Sequence, residues 1–369
     1  MFINYKKNFF MLKGGVIFKN EGINMDKFDY ILKLIEENTV KLKLISDSTA
    51  YANVYELEFI EKTNTPFFGL NETGTDFTVP IYSLILKVVF LEEGIVYKKE
   101  FNKFKMNLEE FEKEVHAQNT VYEKTINKGK PVCPSIITSS VLNEETSIKF
   151  VDNFYNKDSP EKINTTKQSI HNGTKIGIIV MENEVDFKPV DDFLRIVDKS
   201  DNNALIESTG LEIISALMRT LFEAEIFHVD NNYGNILVKY ENNDLKVRII
   251  DYGKCFPVLE KRTIAELIQI SQSEFKTDIL KEYSFSIIKD LFLKYNVDLY
   301  SDSSIKKVQD LLKVYDSLPE LESIKNYFVD NKFISSKLNK SKKKYRKYKK
   351  SKKRRFSVLN KSKRRSIQK

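Results

Sequence analysis

The chain has 369 residues, of which 41% are hydrophobic and 12% aromatic, so it can fold around a sizeable core. Two cysteines and three histidines argue against a disulfide scaffold, a structural zinc site and a histidine-rich metal cluster. The net charge of +8 is unevenly distributed, because residues 337–369 contain 18 Lys or Arg and no Asp or Glu, which leaves a net charge of −10 for the rest. The sequence therefore predicts an acidic body followed by a strongly basic tail.

The first predicted elements are a helix and a hairpin. Apolar residues at helical spacing predict a short amphipathic helix over residues 26–40. Residues 41–61 predict two strands joined by a turn of small residues. Residues 62–80 are rich in Thr, Gly, Pro and Asn, and this composition predicts a loop.

A buried strand and a longer helix follow. The run IYSLILKVVFLEE predicts a buried strand with one lysine, Lys87, in its middle. Residues 107–127 have helical periodicity, with Asn107 as N-cap and Glu110 three positions later in the manner of a capping box. The segment PVCPSI must end this helix, because proline does not continue one. After a polar stretch, KIGIIVMENEV predicts a short buried strand.

The second half of the chain is predicted to be mostly helical, with one hairpin between the helical segments. Residues 211–227 predict a helix, HVDNNYGN predicts a loop, and ILVKYENNDLKVRIIDYG predicts two strands around the turn ENND. Residues 261–332 predict mostly helix. Strands that come first and helices that follow indicate an α+β domain with a strand-rich N-lobe and a helical C-lobe.

These patterns divide the chain into four expected segments. They are an N-terminal extension over 1–25, an N-lobe with insertions over 26–182, a helical C-lobe over 183–336 and a disordered basic tail over 337–369. No apolar run reaches the roughly 20 residues that cross a bilayer, and the extension does not have the pattern of a signal peptide. We therefore expect an intracellular protein that is not secreted, in the cytoplasm or alternatively in the nucleus or a virion, with Met25 as an alternative start to Met1.

The strongest chemical signal is FHVDNNYGNILV followed by KVRIIDYGK. Phosphoryl transfer needs one carboxylate to orient the attacking hydroxyl or accept its proton, and an amide and a second carboxylate to hold Mg²⁺ against the phosphates. Asp230 and Asn235 lie five positions apart in one loop, and Asp251 opens the loop after the next hairpin. The alternative interpretation is a polar turn before an ordinary hairpin.

This pattern resembles the protein-kinase-like superfamily. The tripeptide H-V-D that ends at Asp230 stands where the family has its HRD motif, and Asn235 falls at the spacing of the catalytic-loop asparagine. The tripeptide D-Y-G that begins at Asp251 resembles the DFG motif with Tyr in place of Phe. The resemblance implies a bilobal kinase-like fold, ATP and Mg²⁺ as cofactors, Asp230 as catalytic base, and Asn235 and Asp251 as Mg²⁺ ligands.

Lys87 is the second element of the resemblance. A lysine in the middle of an apolar strand is costly unless its charge is paired. The family places its ATP-binding lysine on such a strand and pairs it with a glutamate on the following helix, which implies Glu114 here, with Glu110 in reserve. The alternative is an edge-strand lysine whose ammonium group reaches water.

The resemblance also implies a nucleotide site between the hairpin and the hinge. The turn SDSTAYANVY takes the place of the family's Gly-rich loop, although no glycine occupies it. Val54 would cover the adenine, and the strand KIGIIVMENEV would lead into the hinge. The implied nucleotide-binding residues are Ser46, Asp47, Thr49, Ala52, Val54, Lys87, Met181, Glu182 and Asn183.

Several departures from the family pattern leave three functions open. Val229 replaces the arginine of HRD, Asn232 replaces the lysine that Ser/Thr kinases commonly carry two positions after the catalytic aspartate, and no APE motif follows Asp251. The tetrad GNIL, which begins at Gly234, resembles the pattern of aminoglycoside and choline kinases. Our first expectation is a divergent Ser/Thr protein kinase; the alternatives are a small-molecule kinase and a pseudokinase that binds a nucleotide or a partner.

The basic tail interleaves Tyr and Ser with Lys and Arg. Such a run binds nucleic-acid phosphates or an anionic membrane, or serves as a nuclear-import signal; the alternative is a solvated tail against the acidic body. The tail and the Lys-, Asn- and Ile-rich composition resemble those of giant DNA virus proteins. The expected partners are a hydroxyl acceptor on a protein or small molecule and, through the tail, nucleic acid or an anionic surface.

Overall fold

The computed structural model describes residues 16–19, 25–46, 52–61, 65–70, 77–91, 106–126, 131–154, 160–228, 230–257 and 291–297. All of them belong to one of the two compact units into which the chain divides, Met1–Glu260 together with Ser271–Leu299. The prediction of disorder for residues 337–369 and most of the helical prediction for 261–332 lie outside the described residues.

The helices and strands alternate along the described part of the chain. The strands are β1 Val16–Phe18, β2 Val40–Ser46, β3 Ala52–Phe59, β4 Phe67–Leu70, β5 Phe77–Pro80, β6 Ser83–Leu91, β7 Ile136–Leu142, β8 Lys175–Glu182, β9 Lys188–Pro189, β10 Ile226–His228, β11 Ile236–Glu241, β12 Asp244–Ile249 and β13 Cys255–Pro257. The helices are α1 Lys27–Glu36, α2 Leu108–Ile126, α3 Glu144–Phe154, α4 Pro160–His171, α5 Val190–Asp198 and α6 Asn203–Phe222.

An antiparallel five-stranded sheet with the order β2-β3-β6-β8-β7 forms the N-lobe. Lys87 lies at the centre of this sheet, opposite Val54 on β3 and Ile179 on β8. The predicted hairpin over 41–61 and the predicted strands around Lys87 and at 175–182 are therefore confirmed.

The two faces of this sheet are covered by different elements. One face packs in a large apolar cluster with α1, α3, α4 and β4, through buried side chains such as Ile31, Phe67 and Phe150. The other face packs against α2, where Phe111 lies over Gly177 so closely that a Cβ atom at Gly177 would come within 2.7 Å of the ring. Gly177 therefore sets how near α2 comes to the sheet.

The loop predicted for residues 62–80 is wrong in part, because it contains β4 and β5. These strands pair with each other, and β4 also pairs with β1, which gives a three-stranded sheet of order β1-β4-β5. Phe67 is fully buried, with its ring centroid 5.2 Å from that of Phe18 and 5.9 Å from that of Phe59. Burial of these aromatic rings outweighs the loop-like composition of the segment.

The polar stretch expected before residue 175 contains β7, α3 and α4. Asn143 caps α3, since its Oδ1 atom accepts a hydrogen bond of 2.8 Å from the Thr146 N–H. Only a narrow stripe of α3 is apolar and buried, and it includes Phe150, Val151 and Phe154. Because polar residues dominate the rest of these short helices, the composition of the segment did not predict α3 and α4.

Two local predictions are confirmed in detail. Asn107 and Glu110 form the capping box at the start of α2, with reciprocal side-chain to backbone hydrogen bonds of 2.9 Å each. The hairpin β11–β12 turns through Asn242 and Asn243, which adopt positive φ angles of 51° and 60° as a two-residue turn with the hairpin's twist requires.

The C-lobe begins with α5 and α6. Helix α6 starts at Asn203, eight residues before the predicted helix, because Asn202 caps it by accepting a hydrogen bond from the Leu205 N–H. The helix ends at Phe222, and Glu225, with φ of 56°, turns the chain into β10. The architecture is the α+β, bilobal kinase-like fold that the sequence predicts. No described helix is long and apolar enough to cross a membrane.

Candidate active site

Lys87 lies at the centre of the site, between two carboxylates. Its Nζ atom is 2.5 Å from Glu114 Oε1 on α2 and 3.0 Å from Asp251 Oδ1 at the end of β12. The side chains of Lys87 and Glu114 are only 6% and 1% exposed. The structure thus brings together three residues from distant parts of the sequence, whereas Glu110 is engaged in the capping box.

Burial makes this triad sensitive to the loss of any charge. Glu114 Oε2 has no hydrogen-bond partner in the described part of the chain, and burial raises the pKa of Glu114 despite Lys87. Burial also opposes ionisation of Asp251, yet the Lys87 ammonium, with a smaller contribution from Lys254, holds the pKa of Asp251 below its usual range. Removing Lys87 would leave two carboxylates without their shared cation.

Asp251 adopts a strained backbone conformation, with φ of 64° and ψ of 72° in the left-handed region. The surrounding side chains hold it there. The Nε2 atom of His228 lies 3.0 Å from the Asp251 carbonyl oxygen, which only accepts hydrogen bonds, so Nε2 donates. The buried Tyr252 ring stacks edge-on against His228 at 4.9 Å. Burial lowers the pKa of His228, which favours the neutral ring.

The loop at Asp230 is ordered by its own side chains. Asn232 Nδ2 donates to Asp230 Oδ1 at 3.0 Å, and Lys254 Nζ lies 2.9 Å from Asp230 Oδ2. The Asn232 Oδ1 atom accepts from the N–H groups of Gly234 and Asn235, which caps the short 3-10 helix Tyr233–Asn235. Asp230 therefore presents a buried carboxylate with both oxygens fixed.

Asn235 and Asp251 fit a divalent metal of the Mg²⁺ type. The Asn235 amide nitrogen donates to the Asp230 carbonyl oxygen at 2.9 Å, which leaves the amide oxygen for a ligand. The Ile250 N–H donates to the Asn235 carbonyl oxygen at 2.9 Å and joins the two loops. Within the described ranges no group of three or more His, Cys, Asp or Glu could hold a metal alone. Mg²⁺ takes one or two protein carboxylates and fills its shell with water and phosphate oxygens.

The residues predicted to contact the nucleotide lie in two groups. Ala52 and Val54 lie on the same face of β3, and Val54 is opposite Lys87. Ala52 is buried in the apolar cluster under α2, and Ser46 pairs with Val54 at the end of β2. Asp47 and Thr49 lie outside the described residues. The contacts of all these residues with a nucleotide stay a prediction.

The three residues predicted to form the hinge are Met181 and Glu182, at the end of β8, and Asn183, directly after it. Met181 is buried, and the Glu182 N–H donates to the Ser135 carbonyl oxygen while Glu182 Oε2 accepts from the Ser135 hydroxyl at 3.2 Å. Asn183 Nδ2 donates to Glu56 Oε1 and Ser83 Oγ, so it joins the hinge to the sheet. Burial and the neighbouring Glu184 raise the pKa of Glu182 to about 7. The adenine contacts of these three residues also stay a prediction.

Sequence reasoning missed two residues beside the site. Ile85 lies two positions before Lys87, on the same strand face, and packs against the cluster under α2; the period of two in a strand identifies it. Lys254 closes the short 3-10 helix Tyr252–Lys254, and its ammonium group reaches Asp230. Its place one 3-10 turn after Asp251 indicates a cation near Asp251, but no signal in the sequence indicated its contact with Asp230.

Comparison with known proteins agrees with this geometry. Residues 169–283 match the family model of the ABC1 atypical kinase-like domain. The 3-deoxy-D-manno-octulosonic acid kinase of Mannheimia succiniciproducens is 39% identical over 66 residues, which are 16% of this chain and 28% of that protein. Both similarities support the resemblance of this chain to the protein-kinase-like superfamily, as a divergent member. The match spans little more than a quarter of the curated relative's length.

The matched range defines what the similarity covers. It includes Asp230, Asn235 and Asp251, but it begins at residue 169, after Lys87 and Glu114. Lys87 joins the kinase-like site through its ion pair with Asp251, and Glu114 joins it through its ion pair with Lys87. The similarities support a kinase-like phosphotransferase domain and imply ATP as its nucleotide.

Proposed function

We propose that this chain is a Mg²⁺-dependent phosphotransferase that moves the γ-phosphoryl group of ATP to a hydroxyl group. One observation carries the proposal: the buried Lys87 ammonium group bridges Glu114 and Asp251, and Asp251 adjoins the loop that holds Asp230 and Asn235. Catalysis of phosphoryl transfer is mostly positioning and charge stabilisation, which these groups can supply.

Each residue has a distinct role in the proposed reaction. Lys87 binds the α- and β-phosphates, and Glu114 keeps its ammonium group in place. Asn235 and Asp251 hold Mg²⁺, which supplies neutralisation of phosphate charge when bound. The Asp230 carboxylate accepts the acceptor's hydroxyl proton as the new bond to the γ-phosphorus forms. The bond from the γ-phosphorus to its bridging oxygen breaks, and that electron pair leaves with ADP.

The acceptor that we favour is a hydroxyl group of a small molecule. Two observations support this choice: the GNIL tetrad beginning at Gly234, and the similarity to a kinase whose substrate is a small sugar acid. A protein Ser or Thr hydroxyl is the second candidate. It rests on Asp230 and Asn235 at the spacing of the protein-kinase catalytic loop.

Transfer from labelled ATP tests the proposal. The purified chain is incubated with Mg²⁺ and, separately, with 3-deoxy-D-manno-octulosonic acid, other small alcohols and a mixture of proteins. We expect label in a small-molecule product, lost in Asp230→Asn and kept in Asp244→Asn, which changes a carboxylate at the hairpin tip. Label in proteins alone would favour a protein Ser or Thr hydroxyl as the acceptor.

A pseudokinase that binds ATP without turnover is a further candidate. It is favoured by the burial of Ala52 and by the Glu182 N–H, which is already bonded to Ser135. Both features reduce the contacts open to a nucleotide. Saturable ATP binding with no transfer to any acceptor, by a protein whose Asp230→Asn variant behaves identically, would establish this candidate and contradict the phosphotransferase.

A further inference from the structure

The catalytic loop lacks a cation at the position where Asn232 stands, and the side chain of Asn232 bonds within the loop. Its amide nitrogen donates to Asp230, and its amide oxygen accepts two backbone N–H groups. Asn232 therefore shapes the loop and orients Asp230, but it contributes no charge.

Lys254 supplies a cation to the same carboxylate from the other loop. Its Nζ atom lies 2.9 Å from Asp230 Oδ2, on the oxygen that Asn232 does not contact. Its side chain is 28% exposed, against 6% for Lys87, so it can reach a bound ligand without a large rearrangement. Its charge also helps to lower the pKa of Asp251.

The proposed reaction creates a charge conflict at this place. The acceptor oxygen must contact both Asp230 and the γ-phosphorus, so the γ-phosphoryl oxygens come close to the Asp230 carboxylate. Like charges at such a distance repel each other strongly in a partly buried site. A group with several N–H donors and a full positive charge can bond to the Asp230 carboxylate and to a γ-phosphoryl oxygen at once. A lysine ammonium group has three such donors.

We propose that Lys254 is a catalytic residue that binds the γ-phosphoryl group and replaces the cation missing at Asn232. This role of Lys254 rests on the proposed function. In the free protein its ammonium group holds Asp230; with ATP bound it donates to Asp230 and to a γ-phosphoryl oxygen together. Because charge on the transferred group changes during transfer, a fixed cation here lowers the barrier.

A purely structural ion pair between the two loops would also explain the 2.9 Å contact, so the test must separate the two roles. The variants are Lys254→Met, which keeps the length without the charge, and Lys254→Arg, which keeps the charge. Lys254→Gln is a second neutral variant in case Lys254→Met fails to fold. The matched control is Lys246→Met, because Lys246 lies 4.0 Å from Asp244 at the hairpin tip, away from Asp230.

Two readouts are measured for each variant: steady-state turnover, and equilibrium affinity for ATP and for ADP with Mg²⁺. We expect Lys254→Met to lower kcat about 10²- to 10³-fold, as the loss of one charge-stabilising donor does. ATP affinity should fall about tenfold while ADP affinity, which involves no γ-phosphoryl group, stays unchanged. Lys254→Arg should keep part of the turnover and part of the ATP affinity, and Lys246→Met should change neither turnover nor ATP affinity.

The outcomes separate this inference from the proposed function. If Lys254→Met loses the preference for ATP over ADP, the result supports contact between Lys254 and the γ-phosphoryl group. This holds even if no acceptor is ever phosphorylated, a result that would contradict only the proposed phosphotransferase function. Unchanged turnover and preference in both neutral variants overturn the role of Lys254. An equal loss of ATP and ADP affinity with a lowered Tm assigns the lysine a structural role and overturns it too. A wild-type protein that binds neither nucleotide overturns both proposals.

Discussion

The loops around Asp230 and Asp251 differ from the hairpin β2–β3 in what their polar side chains contact. In the loops around Asp230 and Asp251 the charged and amide side chains bond to each other across the site. In the hairpin β2–β3 and the hinge, polar side chains such as Glu56 and Asn183 bond to each other within the sheet, and Ala52 is buried in its core. Chemistry at the γ-phosphate needs particular atoms, whereas covering a nucleotide needs shape and backbone groups, which many sequences supply.

The largest expected effect is on the proposed phosphoryl transfer, and it tests the part of this comparison that concerns the loops around Asp230 and Asp251. We expect Asp251→Asn to lower kcat by at least about 10³-fold, because the proposed function assigns this carboxylate to Mg²⁺ at the reacting phosphate. Transfer of labelled phosphate measures the effect. The variant Asp244→Asn, which also removes one carboxylate from the same hairpin, should retain full turnover; equal losses in both would contradict the assignment.

Replacing Lys87 should affect stability as well as activity. We expect Lys87→Met to reduce the free energy of unfolding by up to about 3 kcal/mol, because Glu114 and Asp251 lose their shared cation. Chemical denaturation measures it. The double variant Lys87→Met, Glu114→Gln should recover part of the stability but none of the turnover. If both variants unfold like the wild type, the triad contributes nothing to the fold.

A smaller effect is expected where the sheet meets α2. A methyl group at Gly177 would lie 2.7 Å from the Phe111 ring, one helical turn before Glu114. We expect Gly177→Ala to cost about 1–3 kcal/mol of stability through overpacking and to raise the KM for ATP, as Glu114 moves away from Lys87. Adding Phe111→Leu should relieve both. A Gly177→Ala protein with unchanged stability and KM would show that α2 does not depend on this close approach.

The hinge offers a pH-dependent effect. The folded-state pKa of Glu182 is about 7, above its unfolded value of 4.5, so its ionisation destabilises the folded state as pH rises between these values. We expect the Tm of Glu182→Gln to gain on that of the wild type from about pH 4.5 to about pH 7 and then to stay level. A Tm difference that is constant with pH would contradict the raised pKa.

The smallest effect on catalysis is expected from the basic tail, which lies outside the described residues. Deleting residues 337–369 should leave turnover unchanged but abolish binding to nucleic acid, because 18 cations are lost. Wild-type binding should weaken steeply with salt through counterion release. Titration of a labelled oligonucleotide at two salt concentrations measures this, and unchanged binding after the deletion would exclude the tail as the contact.

The sequence predicted those parts of the molecule in which local pattern and chemistry agree. The capping box at Asn107 and the hairpin turn at Asn242 follow local rules, and both are confirmed. The pairing of Lys87 with Glu114 was implied by the family resemblance and is present in the structure, whereas its second contact, with Asp251, was not predicted.

Other features could not be predicted because long-range packing decides them. Strands β4 and β5 form in a loop-like segment because β1, from the N-terminal extension, pairs with β4 and Phe67 is buried. Helix α3 shows only a narrow apolar stripe in the sequence. The contact of Lys254 with Asp230 joins two loops whose approach depends on the whole β11–β12 hairpin.

The most direct test of the central claim is the metal dependence of ATP binding, measured by isothermal titration calorimetry on the wild type and Asp251→Asn. If Asn235 and Asp251 hold a divalent ion against the phosphates, chelating Mg²⁺ should weaken ATP binding to the wild type at least about tenfold. The affinity of Asp251→Asn should not depend on Mg²⁺. A wild-type affinity that is the same with and without Mg²⁺, or a variant that keeps the full metal dependence, would contradict the account.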